Sequence, residues 1–356
     1  MAIRFGAAGL RRGRGFATLI NVRRDCELVA VCDLNRERAE QVAREVGCKA
    51  FDDYDAFCAA DLDAVVIVTP PSTHLACTRK AMAAGKHVLC EIPVVMSLEE
   101  ADDLLETVRR SGRIYMAAEN VNYFPIVQEM HRLVREGRIG RIAFAEGEYI
   151  HDCRHIVFDR DDGLGGGTHD APSWRGEFED IRYCTHELGP LLLMIDEPIA
   201  SAVCSIGAAP AQRYPGEVRA AAATFQTSGG RVIRELRASS IAKQPEFHFL
   251  GVYGTVGAIE TNRYRWYEEL MLYTEAEGKT QTIPCSLTHA DAPPEASAGG
   301  HGTSEYYMIG DFIQAIINNE PPYLDVVRGL EMTVPGICAA ESGRRGGIKI
   351  NVPTYR

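Results

Sequence analysis

The strongest constraint on this chain is a glycine-rich stretch, Gly6-Ala-Ala-Gly9-Leu-Arg-Arg-Gly13-Arg-Gly15, set between the apolar segment Ile3–Phe5 and a helical pattern reaching Leu19 and Ile20. A strand, a glycine turn and a helix in that order let backbone N–H groups and the positive helix end approach a pyrophosphate. A second apolar run, Leu28–Cys32, ends at Asp33, 24 residues after Gly9. An acid at about that spacing accepts the ribose hydroxyls of a dinucleotide. The glycines do not follow G-x-G-x-x-G, as if the turn held extra residues. Asp33 favours NAD, because a 2′-phosphate would face its carboxylate; Arg36 keeps NADP as the lesser alternative.

The alternation continues. Arg36–Val46 is amphipathic and stops at Gly47, and Ala64–Val68 is a third apolar run ending in Thr69-Pro70-Pro71. A helix from about Thr73 stops at Gly85, and Val88–Cys90 ends at Glu91. Ser97 reads as the N-cap of a helix ending before Gly112, and Ile114–Ala117 is one more strand. Strands spaced by helices imply parallel crossovers in a doubly wound sheet, with ligands at the carboxyl ends of the strands. The cofactor-binding candidates at those ends are Gly6, Gly9, Leu10, Arg11, Gly13, Asp33, Leu34, Arg36, Thr69, Pro70, His74, Glu91 and Asn120. His74 is also the natural packing residue of a helix start.

The texture changes near residue 120. Apolar alternation over Ile142–Ile150, Ala220–Phe225, Val232–Leu236 and Phe247–Tyr253 predicts a mostly antiparallel sheet with one open face. The expected fold is therefore α/β in residues 1–120, a Rossmann doubly wound parallel sheet. An α+β domain with an open, mostly antiparallel sheet follows in 121–356. Asp159–Trp174 and Ser286–Gly302 read as long loops, which in compact domains are more often functional than idle.

Composition excludes several classes. With 46% hydrophobic and 24% charged residues the chain is an ordinary globular one, and its net charge of −11 argues against nucleic acid. No apolar run approaches the roughly 20 residues of a membrane helix, and no secretion signal is seen, so a cytoplasmic protein is expected. Eleven cysteines without CxxC spacing read as free thiols in the core. His151, His155 and His169 match no metal-ligand spacing, so no metal is expected.

Two stretches carry a family resemblance: Val65-Val-Ile-Val-Thr69-Pro-Pro-Ser-Thr-His74, and Gly85-Lys-His-Val-Leu-Cys90-Glu91-Ile92-Pro93. They resemble the Gfo/Idh/MocA oxidoreductases over most of residues 1–150. Dehydrogenases of that family read Glu-Lys-Pro, and the lysine helps move the hydroxyl proton. Ile92 stands there instead and can neither take nor give a proton. Either activity is lost or another group does the acid–base work.

Further segments favour the second possibility. Glu119-Asn120-Val-Asn-Tyr123, Glu146–Arg154, Trp174-Arg175, Tyr183-Cys-Thr-His186-Glu-Leu-Gly-Pro190 and His301-Gly302 occur in the same order in one branch. That branch is the NAD-dependent α-N-acetylgalactosaminidases of glycoside hydrolase family 109, which also replace the lysine. Their Tyr-Pro-Thr-His-Gly-Leu-Gly-Pro differs from this chain only at Cys184 and Glu187.

The resemblance implies a glycosidase that works through redox chemistry. The sugar 3-hydroxyl is oxidised, C2 is deprotonated, the C1 aglycone is eliminated, water adds, and the ketone is reduced, with tightly bound NAD recycled. Tyr183 and His186, three residues apart, share a helix face. Tyr183 is the candidate C2 base, given a cation or imidazole nearby, and His186 the partner of the 3-oxygen. Tyr123 at the leaving group and Glu91 complete the catalytic candidates. Glu119, Tyr149, His151, Arg154, Trp174, Arg175 and His301 are the substrate-binding candidates. The expected partner is a glycoside or sugar, with self-association through the C-terminal sheet. A net C3 dehydrogenase releasing a keto sugar is the alternative, and a non-catalytic dinucleotide sensor the third reading.

Overall fold

The computed structural model describes residues 2–153, 157, 173–176, 178–207, 220–239 and 248–356. The chain forms two compact units, residues 1–123 with 288–330, and residues 124–287 with 331–356.

The first unit holds six parallel strands: β1 (Ile3–Ala8), β2 (Cys26–Cys32), β3 (Lys49–Phe51), β4 (Ala64–Ile67), β5 (His87–Cys90) and β6 (Tyr115–Ala117). Their order, β3-β2-β1-β4-β5-β6, places the reversal point between β1 and β4. Helices alternate with them: Gly13–Val22, Arg36–Val46, Tyr54–Ala59, His74–Ala83 and Leu98–Ser111. Local signals set the boundaries. Asn35 accepts from the Arg38 N–H to open one helix, and Gly47 closes it in the left-handed region at φ 74°. Ser97 caps the helix that ends at Gly112.

Residues 288–330, read from the sequence as part of the second domain, belong with this sheet. Their helix, Ser304–Asn318, brings Phe312 to 6.0 Å from Phe5, ring to ring. The Leu324 carbonyl accepts from the Ala117 N–H at 2.8 Å. These are long-range packing relations that no local pattern announces.

The second unit is a nine-stranded sheet. Its strands are β7 (Ile142–Ile150), β8 (Ile199–Ile206), β9 (Ala220–Thr227), β10 (Val232–Ala238), β11 (His248–Gly254), β12 (Gly257–Thr261), β13 (Glu269–Thr274), β14 (Lys279–Pro284) and β15 (Ile350–Asn351). The order is β14-β13-β12-β11-β7-β10-β9-β8-β15, antiparallel except where β10 runs parallel to β7. The helix Thr185–Ile195 lies against β7, where a Cβ at Gly147 would come within 2.7 Å of the Glu187 Cβ. The buried Trp266 packs edge-on to Phe124 at 5.7 Å and against His248 at 4.8 Å. No described helix is long and apolar enough to cross a membrane.

Candidate active site

In the first unit, β1 runs through Ala8 and the first helix starts at Gly13, so the turn is only Gly9 to Arg12. It is not lengthened. The sequence placed Gly6 in the turn; it lies inside β1, where a Cβ would strike the Phe57 ring at 2.4 Å. Gly6 is a packing glycine. Gly9 is the turn glycine, at φ +87° with a hypothetical Cβ 2.5 Å from the Val68 carbonyl oxygen. Its neighbours close the cradle: Asp33 Oδ2 accepts from the Leu10 N–H, and Oδ1 from the Asn35 N–H, both at 2.8 Å. Arg38 donates to Asp33 Oδ1 at 3.0 Å. Arg36 instead donates to Glu40 on the exposed helix face, and Leu34 is 89% exposed. The basic residue at Asp33 is thus Arg38, a spacing the sequence reading passed over.

The other strand ends are braced from within the unit. His74 is buried, with Nδ1 2.9 Å from the Pro93 carbonyl and Nε2 2.7 Å from that of Thr69. Burial pushes its pKa down. Both ring nitrogens are taken by backbone, so His74 shapes the Thr69–Pro70 turn and is withdrawn from the cofactor-contact role read from the sequence. Thr73 donates to the Thr69 hydroxyl at 2.7 Å, and Pro70 is exposed. Ile92 is 2% exposed and sits at the cis Ile92–Pro93 bond.

Glu91 is 3.6 Å from Arg12, whose guanidinium also bonds the buried Glu305 and lies 3.2 Å from His301 Nδ1. His301 is 2.9 Å from Glu305 as well. Although burial opposes it, the Arg12 charge with help from His301 holds the Glu305 carboxyl down at about 2. His301, read as a substrate ligand, therefore belongs to a cluster on the glycine turn. Arg11 is exposed on the same turn. Glu119 is fully buried and accepts from the Val121 N–H at 3.1 Å, shaping the turn that carries Asn120. Tyr123 donates to Asp311 at 2.9 Å, and burial first, then that carboxylate, push its phenol well above its usual range. A phenol held so firmly is a poor proton donor to a leaving group.

In the second unit the structure gathers Tyr149, His151, Trp174, Arg175, Tyr183 and His186 into one cluster. Tyr183 ends a 3₁₀ turn (Asp180–Tyr183) and His186 sits in the first turn of the next helix. Their rings meet edge to face at 5.2 Å, and Tyr149 lies 5.8 Å from His186. The Arg175 guanidinium covers Tyr183 at 4.5 Å and Trp174 at 5.8 Å, while Trp174 stacks on Phe178. Burial first, then the charges of His248, Arg237 and Arg175, push His186 well below its usual pKa, so the imidazole is neutral. Tyr149 is pushed up by burial and by Cys153, against the pull of Arg175 and Arg237.

Three members of the cluster escaped sequence reading. Arg237 lies 4.1 Å above Tyr149 and 4.9 Å above Tyr183. His248 meets Tyr149 edge-on at 5.0 Å. Cys153 Sγ is 3.1 Å from His151 Nδ1, which also meets the Tyr149 hydroxyl at 2.8 Å. Arg237 and His248 sit on β10 and β11, and only the strand register brings both beside Tyr149. Arg154 lies outside the described residues, as do His155 and His169. Among the described residues no three His, Cys, Asp or Glu side chains converge as a metal site.

Residues 3–119 match the oxidoreductase family described as having an NAD-binding Rossmann fold, and proteins of one branch match 99% of the chain. Over residues 3–119 the chain is similar to the Gfo/Idh/MocA oxidoreductases. A glycosyl hydrolase family 109 protein from Streptomyces filamentosus is 28% identical over 99% of this chain and 77% of its own length. An alpha-N-acetylgalactosaminidase from Bacteroides fragilis is 31% identical over 48% of this chain and 42% of its own. A levoglucosan dehydrogenase solved with NADH and levoglucosan shares the fold, with TM-score 0.81 at 19% identity over the full length of both.

Proposed function

We propose that this protein is an NAD-dependent glycoside hydrolase that works by transient oxidation at C3. The carrying observation is the cluster in which Tyr183 and His186 touch while Arg175 and Arg237 lie on the phenol rings. The Gly9 cradle and Asp33 carboxylate fit NAD, and Asp33 supports NAD over NADP because its charge would oppose a 2′-phosphate. When bound there, NAD supplies the acceptor and later the donor of the C3 hydrogen.

The remaining work falls to side chains. A neutral His186 can take the 3-hydroxyl proton as C3 is oxidised, then return it on reduction. Once C3 is a ketone, C2–H is acidic, and Tyr183 as phenolate takes that proton. The electron pair moves into the C1–C2 bond and expels the C1 oxygen, which takes a proton from solvent. Water then adds at C1, Tyr183 returns the proton to C2, and the C3 ketone is reduced. Arg175 and Arg237 favour the phenolate by charge, the condition for a phenol of ordinary pKa about 10 to act as base. Trp174 offers an apolar face to a sugar ring. Tyr123 is left out of the chemistry by its bond to Asp311.

A panel of aryl glycosides incubated with protein and NAD in deuterated water tests this reading. Released aglycone, deuterium at C2 of the sugar and no net NADH are expected. Stoichiometric NADH with an intact glycosidic bond would make the protein a C3 dehydrogenase instead.

A further inference from the structure

The sequence motif Tyr183–Pro190 departs from its branch at Glu187, where the related motif has glycine. Glu187 is fully buried in the first turn of the helix Thr185–Ile195. A buried carboxylate there needs room and partners, and both are built. Gly147 on β7 clears the room, since a Cβ at that position would fall 2.7 Å from the Glu187 Cβ. The carboxylate is then divided: Oε2 accepts from Arg237 at 2.8 Å, and Oε1 from His248 Nδ1 at 2.9 Å.

We propose that Glu187 is a positioning residue whose carboxylate holds Arg237 against the Tyr149 and Tyr183 rings and thereby governs the pH range over which the base can ionise. This rests on Tyr183 acting as base in the function proposed above.

Arg237 is 1% exposed at its side chain, and Glu187 is its one ion-pair partner among the described residues. A buried guanidinium with no bonded partner is strongly unfavourable, so losing the side chain at 187 would release it from the rings. The other nearby carboxylate is not a counter-charge while Glu187 is ionised. Glu235, two residues earlier on β10, is fully buried, and neither carboxylate oxygen has a hydrogen-bond partner among the described residues. Burial and the Glu187 charge push it well above its usual range, against Arg237, so it is neutral. Among the described residues, Arg175 lies on the Tyr183 ring, and so does Arg237, tempered by Glu187; Asp180 and His248 are charged or titratable neighbours of the same cluster. His186 is neutral, as argued above. The bond to Glu187 also places a proton of His248 on Nδ1.

Charge and position can be separated. Glu187→Gln, made in a Glu235→Gln background so that no second carboxylate can ionise in its place, keeps shape and a hydrogen bond to Arg237 but removes one negative charge. The phenolate then forms more readily, and the acid limb of the pH–rate profile moves down by about one pH unit. Glu187→Gly, the motif's own residue, frees Arg237, and the limb moves up while turnover falls by at least about tenfold. The phenolate absorbance of Tyr183, taken as wild type minus Tyr183→Phe, should titrate with the same two shifts. That readout needs no turnover, so it decides on Glu187 even if no glycoside is hydrolysed and the functional reading fails. Should Glu187→Gln not fold, Arg237→Lys keeps the charge but cannot cover two rings, and the titration should rise. A Glu187→Gln protein that folds and titrates with its Glu235→Gln parent would overturn the proposal, as would an unmoved titration in Arg237→Lys.

Discussion

The two ionic clusters of this protein are built from similar residue types and behave in opposite ways. On the glycine turn, Arg12, Glu91, His301 and Glu305 form a cluster in which the cation stays a third exposed and only Glu305 is sealed. Charges there pair directly, as carboxylate with guanidinium. Beside Tyr183, two arginines lie on aromatic faces, and one of them is anchored by a sealed carboxylate. The first arrangement fixes a backbone turn. The second sets phenols and imidazoles, some of them half-buried, beside two guanidinium groups, where in the proposed mechanism a change of charge would move protons. The lesson is that solvent access, more than residue type, decides whether an ion pair acts as a fastener or as a tuner.

This contrast can be broken by mutation. The largest effect is expected at the tuner: Tyr183→Phe and His186→Ala should each lower turnover by at least about 100-fold with NAD affinity unchanged, measured by titrating NADH fluorescence. Near wild-type turnover in both would remove them from the chemistry.

An intermediate effect is expected at the fastener. Glu305→Gln should loosen the glycine turn and weaken NAD binding about tenfold, while turnover at saturating NAD changes little. Its pH signature is distinct. The Glu305 carboxyl is lowered from its ordinary 4.5 to about 2, so its stabilisation is present above about pH 4.5 and is lost as pH falls toward 2. Acid unfolding of wild type and Glu305→Gln should therefore converge over that window. A gap that persists unchanged at pH 2 would show that Arg12 is not the reason Glu305 is held.

The smallest effect separates two neighbouring arginines. Arg38→Ala should change NAD affinity by several-fold more than Arg36→Ala, because Arg38 reaches Asp33 and Arg36 reaches Glu40. Equal effects would restore Arg36 to the cofactor site.

Much of this was legible in the sequence where the signal is local. Ser97, Gly47 and Gly112 punctuate helices because caps and left-handed residues act within one turn, and β7 was bounded at Ile142 and Ile150 by its alternation. The pair Tyr183 and His186 came from motif likeness and spacing. What stayed hidden depends on long-range register. Gly6 reads like a turn glycine until Phe57 is seen against it. Arg237 and His248 are ordinary strand residues until β10 and β11 flank β7. Cys153 was dismissed with the other thiols because nothing local shows that His151 would meet it. Residues 288–330 joined the first sheet through an apolar helix face that could have packed anywhere.

The bond from Leu10 to Asp33 has a consequence for redesign. Asp33, the residue proposed above to meet the ribose, also pins the glycine turn to the end of β2, with one oxygen on the Leu10 amide and the other on the Asn35 amide. Replacing it to admit a 2′-phosphate would release the Leu10 amide at the same stroke. A cofactor swap in this scaffold is therefore a two-part problem. The new residue at 33 must leave space for the phosphate, and something else must take over the amide that Asp33 now holds.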